Sequence, residues 1–254
     1  MSKAGPAAPT LGPFTDKATA RACVWDALVA HGVHRFPFPI HGRIPNFRGA
    51  EAAARRLIEH PWFQRARVVK VNPDAPQRPL REAVLAAGKV LLVPTPRLRD
   101  GFRTFDGEAL LPSERRRAAS LAHMERYGRT LPLDALPRID LMVVGSVCVD
   151  LDGRRAGKGE GYADLEYAAL RELGRVDETT PVVTTVHDLQ VTRGLPASEH
   201  DLTLDLIVTP TAVHPVPHRP PRPAGILWER LSPERIAQMP FLAELARRRA
   251  GGGA

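Results

Sequence analysis

The chain has 254 residues, enough for one large domain or two small ones, and its 43% hydrophobic and 25% charged residues are typical of a globular protein. Its 36 Lys and Arg against 28 Asp and Glu give a net charge of +8, which favours polyanionic partners such as nucleotides, polyglutamylated metabolites or nucleic acid. Cys23 and Cys148 are far apart and lack metal-site spacing, so neither a disulfide framework nor a zinc site is indicated and a reducing, cytoplasmic location fits. No uncharged apolar run is long enough to span a bilayer, so the sequence predicts a protein outside the membrane.

The N-terminal part predicts two helices after a leader. The leader, residues 1–15, is rich in Pro, Ala and Gly and is predicted to be flexible. Apolar residues at helical spacing then predict a helix over 16–32, with Asp16 as its cap, and a second helix over 49–60 that Pro61 bounds. Beyond these helices the periodicity of the sequence changes.

From residue 67 onward, short β-branched runs alternate with helical patterns. Because the runs are almost continuously apolar, they are typical of strands in a sheet that is covered on both faces. The alternation predicts an α/β fold with a mostly parallel central sheet, helices on both faces and right-handed crossovers. Strands are predicted over 67–71, 89–95, 140–150, 181–188 and 205–211, and helices over 79–88, 113–128 and 162–174.

The C-terminal part combines a proline-rich stretch over 214–223 with a final helix over 232–250. A glycine-rich end follows and is predicted to be flexible. We therefore expect a single domain over residues 16–248 between the flexible leader and a flexible tail over 249–254.

One loop carries the clearest sign of a ligand. A predicted strand runs into a turn and then into the segment Gly-Lys-Gly-Glu-Gly at 157–161, which a predicted helix follows directly. Glycines let backbone N–H groups approach an anion, and a helix N-terminus adds unpaired donors and a favourable dipole. Arg154, Arg155 and Lys158 add positive charge beside it. The loop matches neither a Walker A motif nor a dinucleotide fingerprint, so by itself the pattern also fits a glycine-rich surface loop.

Three segments together point to a known family: DGRRAGKGEGYAD, PVVTTVHDLQV and PASEHDLTLDLIVTPT. They resemble the 5-formyltetrahydrofolate cyclo-ligase (methenyltetrahydrofolate synthetase) family, whose motif runs G-x-R-x-G-x-G-x-G-Y-Y-D. The stretches WDALVAHGVHRFPFPIHGRIPNFRGAEAA and LLVPTPRLRDG are more similar still to its branch of methenyltetrahydrofolate synthetase domain-containing proteins. The resemblance covers residues 15–245, which is nearly the whole chain.

The resemblance implies a ligase of folate one-carbon metabolism that uses ATP and Mg²⁺. In that reaction the formyl oxygen of 5-formyltetrahydrofolate attacks the γ-phosphate of ATP, and folate N10 then displaces the phosphate to close the ring. The products are 5,10-methenyltetrahydrofolate, ADP and phosphate, and the protein must supply positive charge and positioning. The same activation can serve another formamide or amide. The alternative is a non-catalytic nucleotide- or folate-binding protein or an RNA-associated one, although no aromatic RNP-like signature supports nucleic acid as a partner.

The resemblance also implies the ATP-binding residues. Arg155 and Lys158 are expected to be the catalytic cations that face the phosphates, with the surrounding backbone as a cradle. Lys17 and Arg21 have the spacing of two cations that reach ATP in the family, and positions i and i+4 lie on one helix face. A solvated helix face is the alternative for that pair. The expected ATP-binding residues are Lys17, Arg21, Arg155, Gly157, Lys158, Gly159, Glu160, Gly161 and Tyr162.

Two acids and three further residues complete the implied site. Asp164 matches the acid of the motif and Asp201 a second acid, and both are expected to hold Mg²⁺ directly or through water. Alternatively, Asp164 is a first-turn acid that complements the helix dipole and Asp201 a turn residue ahead of a strand. For the second substrate the resemblance implies Asp74, Tyr162 and Gln190.

The chain departs from the family motif near its end. Ala163 stands where the family has its second tyrosine, and Leu165 stands where an arginine often follows the acid. Glu160 places a negative charge inside the loop, which opposes a phosphate if the side chain points inward. These departures lie on the side of the loop where the second substrate is expected.

Overall fold

The computed structural model describes residues 10–251 of the chain. Within them, none of the helices combines the length and apolar character that a bilayer crossing requires. The first helix begins where Asp16 Oδ1 accepts the backbone N–H of Thr19 at 2.8 Å, which confirms Asp16 as its cap. The α-helices are Lys17–Ala30 (α1), Ala50–Glu59 (α2), Pro61–Arg65 (α3), Arg78–Ala86 (α4), Pro112–Ala118 (α5), Tyr162–Glu172 (α6), Pro233–Ala237 (α7) and Pro240–Gly251 (α8).

The strands form three sheets. Most of the longer strands coincide with the β-branched runs that predicted them, because those residues pack well on a pleated surface. The strands are His34–Arg35 (β1), Asn46–Phe47 (β2), Val68–Val71 (β3), Val90–Pro94 (β4), Phe102–Asp106 (β5), Arg129–Thr130 (β6), Leu141–Val144 (β7), Cys148–Asp150 (β8), Arg155–Ala156 (β9), Val182–Thr185 (β10), Val191–Thr192 (β11), Leu206–Val208 (β12) and Val213–Pro215 (β13).

The main sheet has eight strands in the order β13-β12-β10-β7-β3-β4-β5-β6. Its five central strands, β12 to β4 in that order, are parallel, and the strands at both edges are antiparallel. A smaller sheet, β11-β8-β9, lies against α1, and β1 pairs with β2. The predicted α/β fold with a mostly parallel central sheet is confirmed.

Strand β7 shows how helices cover both faces of the main sheet. Its side chains alternate between two cores, as the period of a strand requires. Leu141 and Val143 pack in the core that includes Leu57 of α2 and Val84 of α4. Met142 and Val144 pack in the opposite core, which includes residues of α6 and α8. Each such side chain, fully buried, contributes about 1.5–3 kcal/mol of transfer free energy.

One predicted strand and one predicted helix are each divided in two in the structure. The run 140–150 is two strands in different sheets, because β7 ends at Val144 and β8 pairs with β9 and β11. The carbonyls of Ser146 and Val147 accept hydrogen bonds from the Gln190 side chain, so they do not continue the ladder. The predicted helix over 232–250 breaks at Pro240, where a new helix begins.

The predicted helix over 113–128 is also too long. Helix α5 ends at Ala118, and the carbonyl of the next residue, Ala119, accepts a hydrogen bond of 3.1 Å from the buried Arg81 Nε. Turns and a short 3₁₀ segment follow. The antiparallel strands β5 and β6, which flank this region, were not predicted, because β5 mixes Arg103 and Asp106 with its two phenylalanines and β6 has only two residues.

The predicted flexible ends lie partly outside the described residues, which exclude 1–9 and 252–254. Within the described part, the chain packs before residue 16, since the carbonyl of Leu11 accepts the N–H of Arg193 at 2.9 Å. Helix α8 likewise continues past residue 248 to Gly251. The packed chain therefore extends beyond both predicted domain boundaries.

The topology marks one edge of the main sheet as a place for a ligand. Strands β3 and β7 are neighbours in the sheet. The next parallel strand in the chain after β3 is β4, which lies on one side of this pair, whereas β10 and β12, which follow β7, lie on the other side. In open α/β sheets, ligands bind outside the carboxyl ends of the strands at such a switch point. Asn72 to Asp74 follow β3 there, and Gly145 follows β7.

Candidate functional site

A cavity of about 490 Å³ opens at this switch point. Its volume lies in the range that is usual for small-molecule sites. Residues 157–161, which we call the glycine loop, and the first turn of α6 form one wall, and Arg97 and Arg103 lie on another. Asn72, Asp74 and Glu166 line the end of the cavity nearest the sheet, which we call the cavity floor.

Arg155 joins the elements that surround the cavity. Strand β9 carries it, and only 4% of the residue is exposed. Its guanidinium donates to Asp164 Oδ1 at 2.7 Å and to the carbonyl of Gly145 at 3.2 Å. Its Nε has no hydrogen-bond partner among the residues that the structure describes. A buried guanidinium with a spare donor beside a cavity suits an anionic ligand.

The glycine loop brings backbone donors to the same place. The N–H groups of Tyr162, Ala163 and Asp164 donate to no acceptor within residues 10–251, and they begin α6. Gly159 has a φ of +110°, and a Cβ there would lie 3.4 Å from a guanidinium nitrogen of Arg21. A side chain at that position would therefore be strained and would crowd Arg21. The helix terminus and the open loop together are suited to binding an anion, and we call this region the anion site.

The predicted ATP cations take different positions. Lys158 lines the cavity, but its Nζ lies 2.8 Å from Glu160 Oε2, and both side chains are half-exposed. Arg21 lies beside the loop, whereas Lys17 Nζ pairs with Asp201 Oδ1 at 2.5 Å. The structure thus brings Arg21 and Lys158 to the glycine loop together with Arg155, and it holds Lys17 at the edge of this group.

Arg154 does not take part in the site, although its place in the sequence suggests that it would. Its guanidinium lies 3.8 Å from Asp150 and 3.5 Å from Asp152, and it does not line the cavity. Alternation along the chain explains the difference, because Arg154 and Arg155 are adjacent residues and point in opposite directions.

The two predicted magnesium ligands do not form a joint site. Asp164 lines the cavity. Its Oδ1 accepts hydrogen bonds from the guanidinium of Arg155 and, at 3.0 Å, from the N–H of Leu202. Its Oδ2 accepts no hydrogen bond within the described chain. Asp201 does not line the cavity, since Lys17 holds one oxygen and the N–H of Ser198, at 2.6 Å, holds the other.

A closed magnesium cage is absent from residues 10–251, where no three acidic, histidine or cysteine side chains form a metal-binding group. Magnesium is commonly bound by one or two carboxylates together with the phosphates of a substrate. Asp164 Oδ2 fits that arrangement, because it is free and lies next to the anion site. The residues therefore fit a magnesium ion that a polyphosphate brings with it, whereas both oxygens of Asp201 are taken by Lys17 and the N–H of Ser198.

Asp74 lies in the cavity floor, where the resemblance placed it near the second substrate. The buried Arg81 fixes the turn after β3 by donating to the carbonyls of Asn72 and Asp74 at 2.7 and 3.0 Å. Gly145 leaves room for the carboxyl group, since a Cβ there would lie 2.6 Å from Asp74 Oδ2. Burial raises the pKa of Asp74 to about 6, and the negative charge of Glu166 adds to the rise.

Glu166 in the cavity floor and Lys70 behind it were missed at the level of sequence. Lys70 of β3 is fully buried and forms an ion pair with Glu166 of α6, which is 3% exposed. Both carried a signal, because a lysine interrupts the apolar run RVVKV and a glutamate interrupts the apolar face of the helix. Neither signal named a partner, since the two residues are 96 positions apart.

Of the remaining predicted substrate residues, one lines the cavity and one does not. Tyr162 and Ala163 line the cavity, and the ring of Tyr162 carries the guanidinium of Arg235 at 5.6 Å. Gln190 does not line it, which corrects the expectation that it contacts substrate. Its side chain is fully buried. Its Nε2 donates to the carbonyls of Ser146 and Val147, and its Oε1 accepts the N–H of His187.

Comparison with known proteins gives three findings on sequence. A family model described as the 5-formyltetrahydrofolate cyclo-ligase family matches residues 25–210. The chain is 44% identical over 242 residues to a mouse (Mus musculus) methenyltetrahydrofolate synthase domain-containing protein, covering 93% of this chain and 65% of the relative. It is also 44% identical over 234 residues to the cattle (Bos taurus) protein of that name, covering 90% of this chain and 61% of the relative. The chain thus spans less than two thirds of the length of these relatives.

A solved structure with this fold is the NMR structure of 5,10-methenyltetrahydrofolate synthetase from Aquifex aeolicus, which matches with a TM-score of 0.51 at 20% identity. The match covers 79% of this chain and 93% of the other. At this level of identity the likeness supports the α/β architecture alone.

Proposed function

The chain belongs to the 5-formyltetrahydrofolate cyclo-ligase family, and on that basis we propose that it is an ATP- and Mg²⁺-dependent ligase that converts 5-formyltetrahydrofolate to 5,10-methenyltetrahydrofolate, releasing ADP and phosphate. One observation carries the proposal: a single cavity joins an anion site to a buried acidic floor. A phosphate donor and a ring that is rich in N–H groups can therefore meet in it. The cytoplasmic location remains a prediction.

The anion site has the groups that phosphoryl transfer needs. The N–H groups at the start of α6 and the guanidinium of Arg155 would hold the β- and γ-phosphates, because they converge on one side of the cavity. Lys158 would leave Glu160 for the γ-phosphate, and Arg21 and Lys17 would bind the outer part of the polyphosphate. A magnesium ion held by the phosphates and Asp164 would neutralise charge on the transferred group.

The acidic floor has the groups that the folate needs. Asp74 and Glu166 would accept N–H donors of the pterin ring, and this would place the formyl oxygen in line with the γ-phosphate. After the oxygen is phosphorylated, N10 attacks the formyl carbon and phosphate leaves. Burial of the floor limits the access of water, so hydrolysis does not compete with ring closure.

A second candidate is the same activation of a related formamide or amide. Ala163 lines the cavity at the position of the second motif tyrosine, so the wall is smaller there. A site of this shape has room for a differently substituted ring. This candidate keeps the role of the anion site and changes only the second substrate.

The experiment is a turnover assay of the purified chain with MgATP and 5-formyltetrahydrofolate. Methenyl absorbance and ADP are followed in the same sample, with reactions lacking folate or Mg²⁺ as controls. We expect equal amounts of the two products and neither in the controls. ADP without methenyl product, formed equally in the control without folate, would show ATP hydrolysis and direct the search to another formamide. Nucleotide binding without any turnover would favour a non-catalytic binding protein.

A further inference from the structure

A buried ion pair lies directly behind the cavity floor. Lys70 donates to Glu166 Oε2 and, at 2.8 Å, to Asn72 Oδ1. Asn72 Nδ2 lies 3.4 Å from the same oxygen of Glu166. The three side chains are almost completely buried, and Lys70 is fully so. Lys70 and Asn72 thus fix one oxygen of Glu166 from two directions.

The fold itself gains little from this pair. Alternation along β3 turns Lys70 toward the core that lies under α6, where the neighbouring strands place Leu92 and Met142. Burying two charges costs desolvation energy that their attraction barely offsets, and apolar residues of similar volume often replace such pairs without loss of stability. The pair therefore calls for an explanation other than packing.

Glu166 keeps one oxygen for the cavity. Every contact of its carboxylate within the described chain runs through Oε2, whereas Oε1 accepts no hydrogen bond there. Glu166 also lines the cavity. Oε1 is therefore the atom that meets a ligand, and it is held in place before the ligand binds, which lowers the entropic cost of binding.

A second carboxyl group lies beside it. Asp74 lines the same floor, and it is close enough for the charge of Glu166 to affect its ionisation. Two carboxyl groups in one buried corner accept hydrogen bonds and, once ionised, donate none. They suit a planar ring that presents neighbouring N–H donors, as a 2-amino-4-oxopteridine or another amidine-like heterocycle does.

We infer that Glu166 determines specificity for the second substrate: its Oε1 accepts an N–H group of the heterocycle, and Lys70 and Asn72 are positioning residues that hold it. The inference rests on the proposed function for the identity of the ligand, and it adds a residue that the motif of the family did not indicate. The glycine loop is then left to the nucleotide alone.

Binding of 5-formyltetrahydrofolate, measured by calorimetry without ATP, tests the inference directly. Glu166→Gln should weaken binding about tenfold to a hundredfold, because it removes a charged acceptor. Glu172→Gln is the matched control, since it makes the same change on the same helix, where Glu172 bonds the indole of Trp228 instead of lining the cavity. It should bind within about twofold of the wild type. Equal binding by the two variants overturns the inference.

A double variant separates recognition from stability. Lys70→Met alone leaves Glu166 buried without its partner, so the Tm should fall. Lys70→Met with Glu166→Met removes both charges, and the Tm should return toward that of the wild type while binding stays weak. In turnover, the KM for 5-formyltetrahydrofolate should rise and the KM for ATP should stay unchanged. A double variant that regains both Tm and binding shows a merely structural pair and overturns the inference.

A probe distinguishes failure of this inference from failure of the proposed function. 2-Amino-4-oxopteridine is titrated into the wild type and into Glu166→Gln. Binding that depends on Glu166, in a protein that shows no turnover, supports the inference and removes the cyclo-ligase function. Binding that ignores Glu166, or no binding to the wild type, overturns the inference whatever the turnover assay shows.

Discussion

The glycine loop and the cavity floor line the same cavity and differ in sequence continuity, exposure and charge. The loop is continuous in sequence, and its Lys158 side chain is 39% exposed. The floor joins the end of β3 to α6, and the side chains of its Glu166 and of Lys70 behind it are 5% and 0% exposed. Exposed charges interact weakly and rearrange easily, whereas buried charges interact strongly and stay fixed. The loop is therefore suited to a hydrated polyphosphate, and the floor to a ring that sheds its water.

The largest effect should come from Arg155, because this buried cation lies beside Gly157 of the loop and donates to the carbonyl of Gly145, which follows β7. Arg155→Met should lower turnover by about 10²–10³-fold, as expected for the loss of a donor that stabilises transition-state charge. Single-turnover ADP formation measures this. Arg154→Met is the control, since its guanidinium faces Asp150 and Asp152. Comparable losses in the two variants would contradict the assignment of Arg155.

The next effect concerns the two acids near the loop. Asp164→Asn should raise the Mg²⁺ concentration for half-maximal turnover by about tenfold or more, because it removes a carboxylate from the metal. Asp201→Asn should leave that concentration unchanged and raise the KM for ATP, because Lys17 loses the largely buried partner that holds it beside the loop. Magnesium titration at fixed ATP distinguishes them. If both variants raise the Mg²⁺ concentration for half-maximal turnover equally, Asp201 is a metal ligand and this assignment is wrong.

On the floor, Asp74 should give activity a pH dependence. If its carboxylate accepts the ring N–H, kcat/KM for the folate falls about tenfold per unit below a pKa of about 6, and Asp74→Asn removes that inflection. The free energy of unfolding should change with pH in the opposite sense to activity. Because folding raises this pKa, the stability that the protonated Asp74 contributes is fully present below pH 3.8 and is lost as the pH rises through about 6. Wild-type Tm minus Asp74→Asn Tm should thus increase on acidification, and a flat difference contradicts the burial argument.

The smallest effect should come from Glu160. Its ion pair with Lys158 is exposed, so breaking it changes little free energy. Glu160→Gln should release Lys158 for the phosphate and lower the KM for ATP about twofold. A rise in that KM instead would show that Glu160 itself helps to hold the nucleotide or its metal.

The same contrast explains what the sequence could predict. The loop, the start of α6 and the capping Asp16 depend on neighbouring residues, so local patterns revealed them. The ion pair of Lys70 with Glu166 depends on the register of β3 against α6 across 96 positions, which no local pattern encodes.

Two further misassignments have the same origin. The run 140–150 is apolar throughout, and only its pairing partners show that β7 and β8 belong to different sheets. Gln190 resembled a ligand residue because its sequence position gave no hint that backbone carbonyls already use its amide.

The most direct test of the central claim, that the loop binds the nucleotide and the floor binds the second substrate, is to measure both Michaelis constants in one variant of each region. Lys158→Met should raise the KM for ATP about tenfold and leave the KM for 5-formyltetrahydrofolate within about twofold. Asp74→Ala should raise the KM for 5-formyltetrahydrofolate about tenfold and leave the KM for ATP within about twofold. If both constants move together in both variants, the two regions do not divide the substrates and the account is wrong.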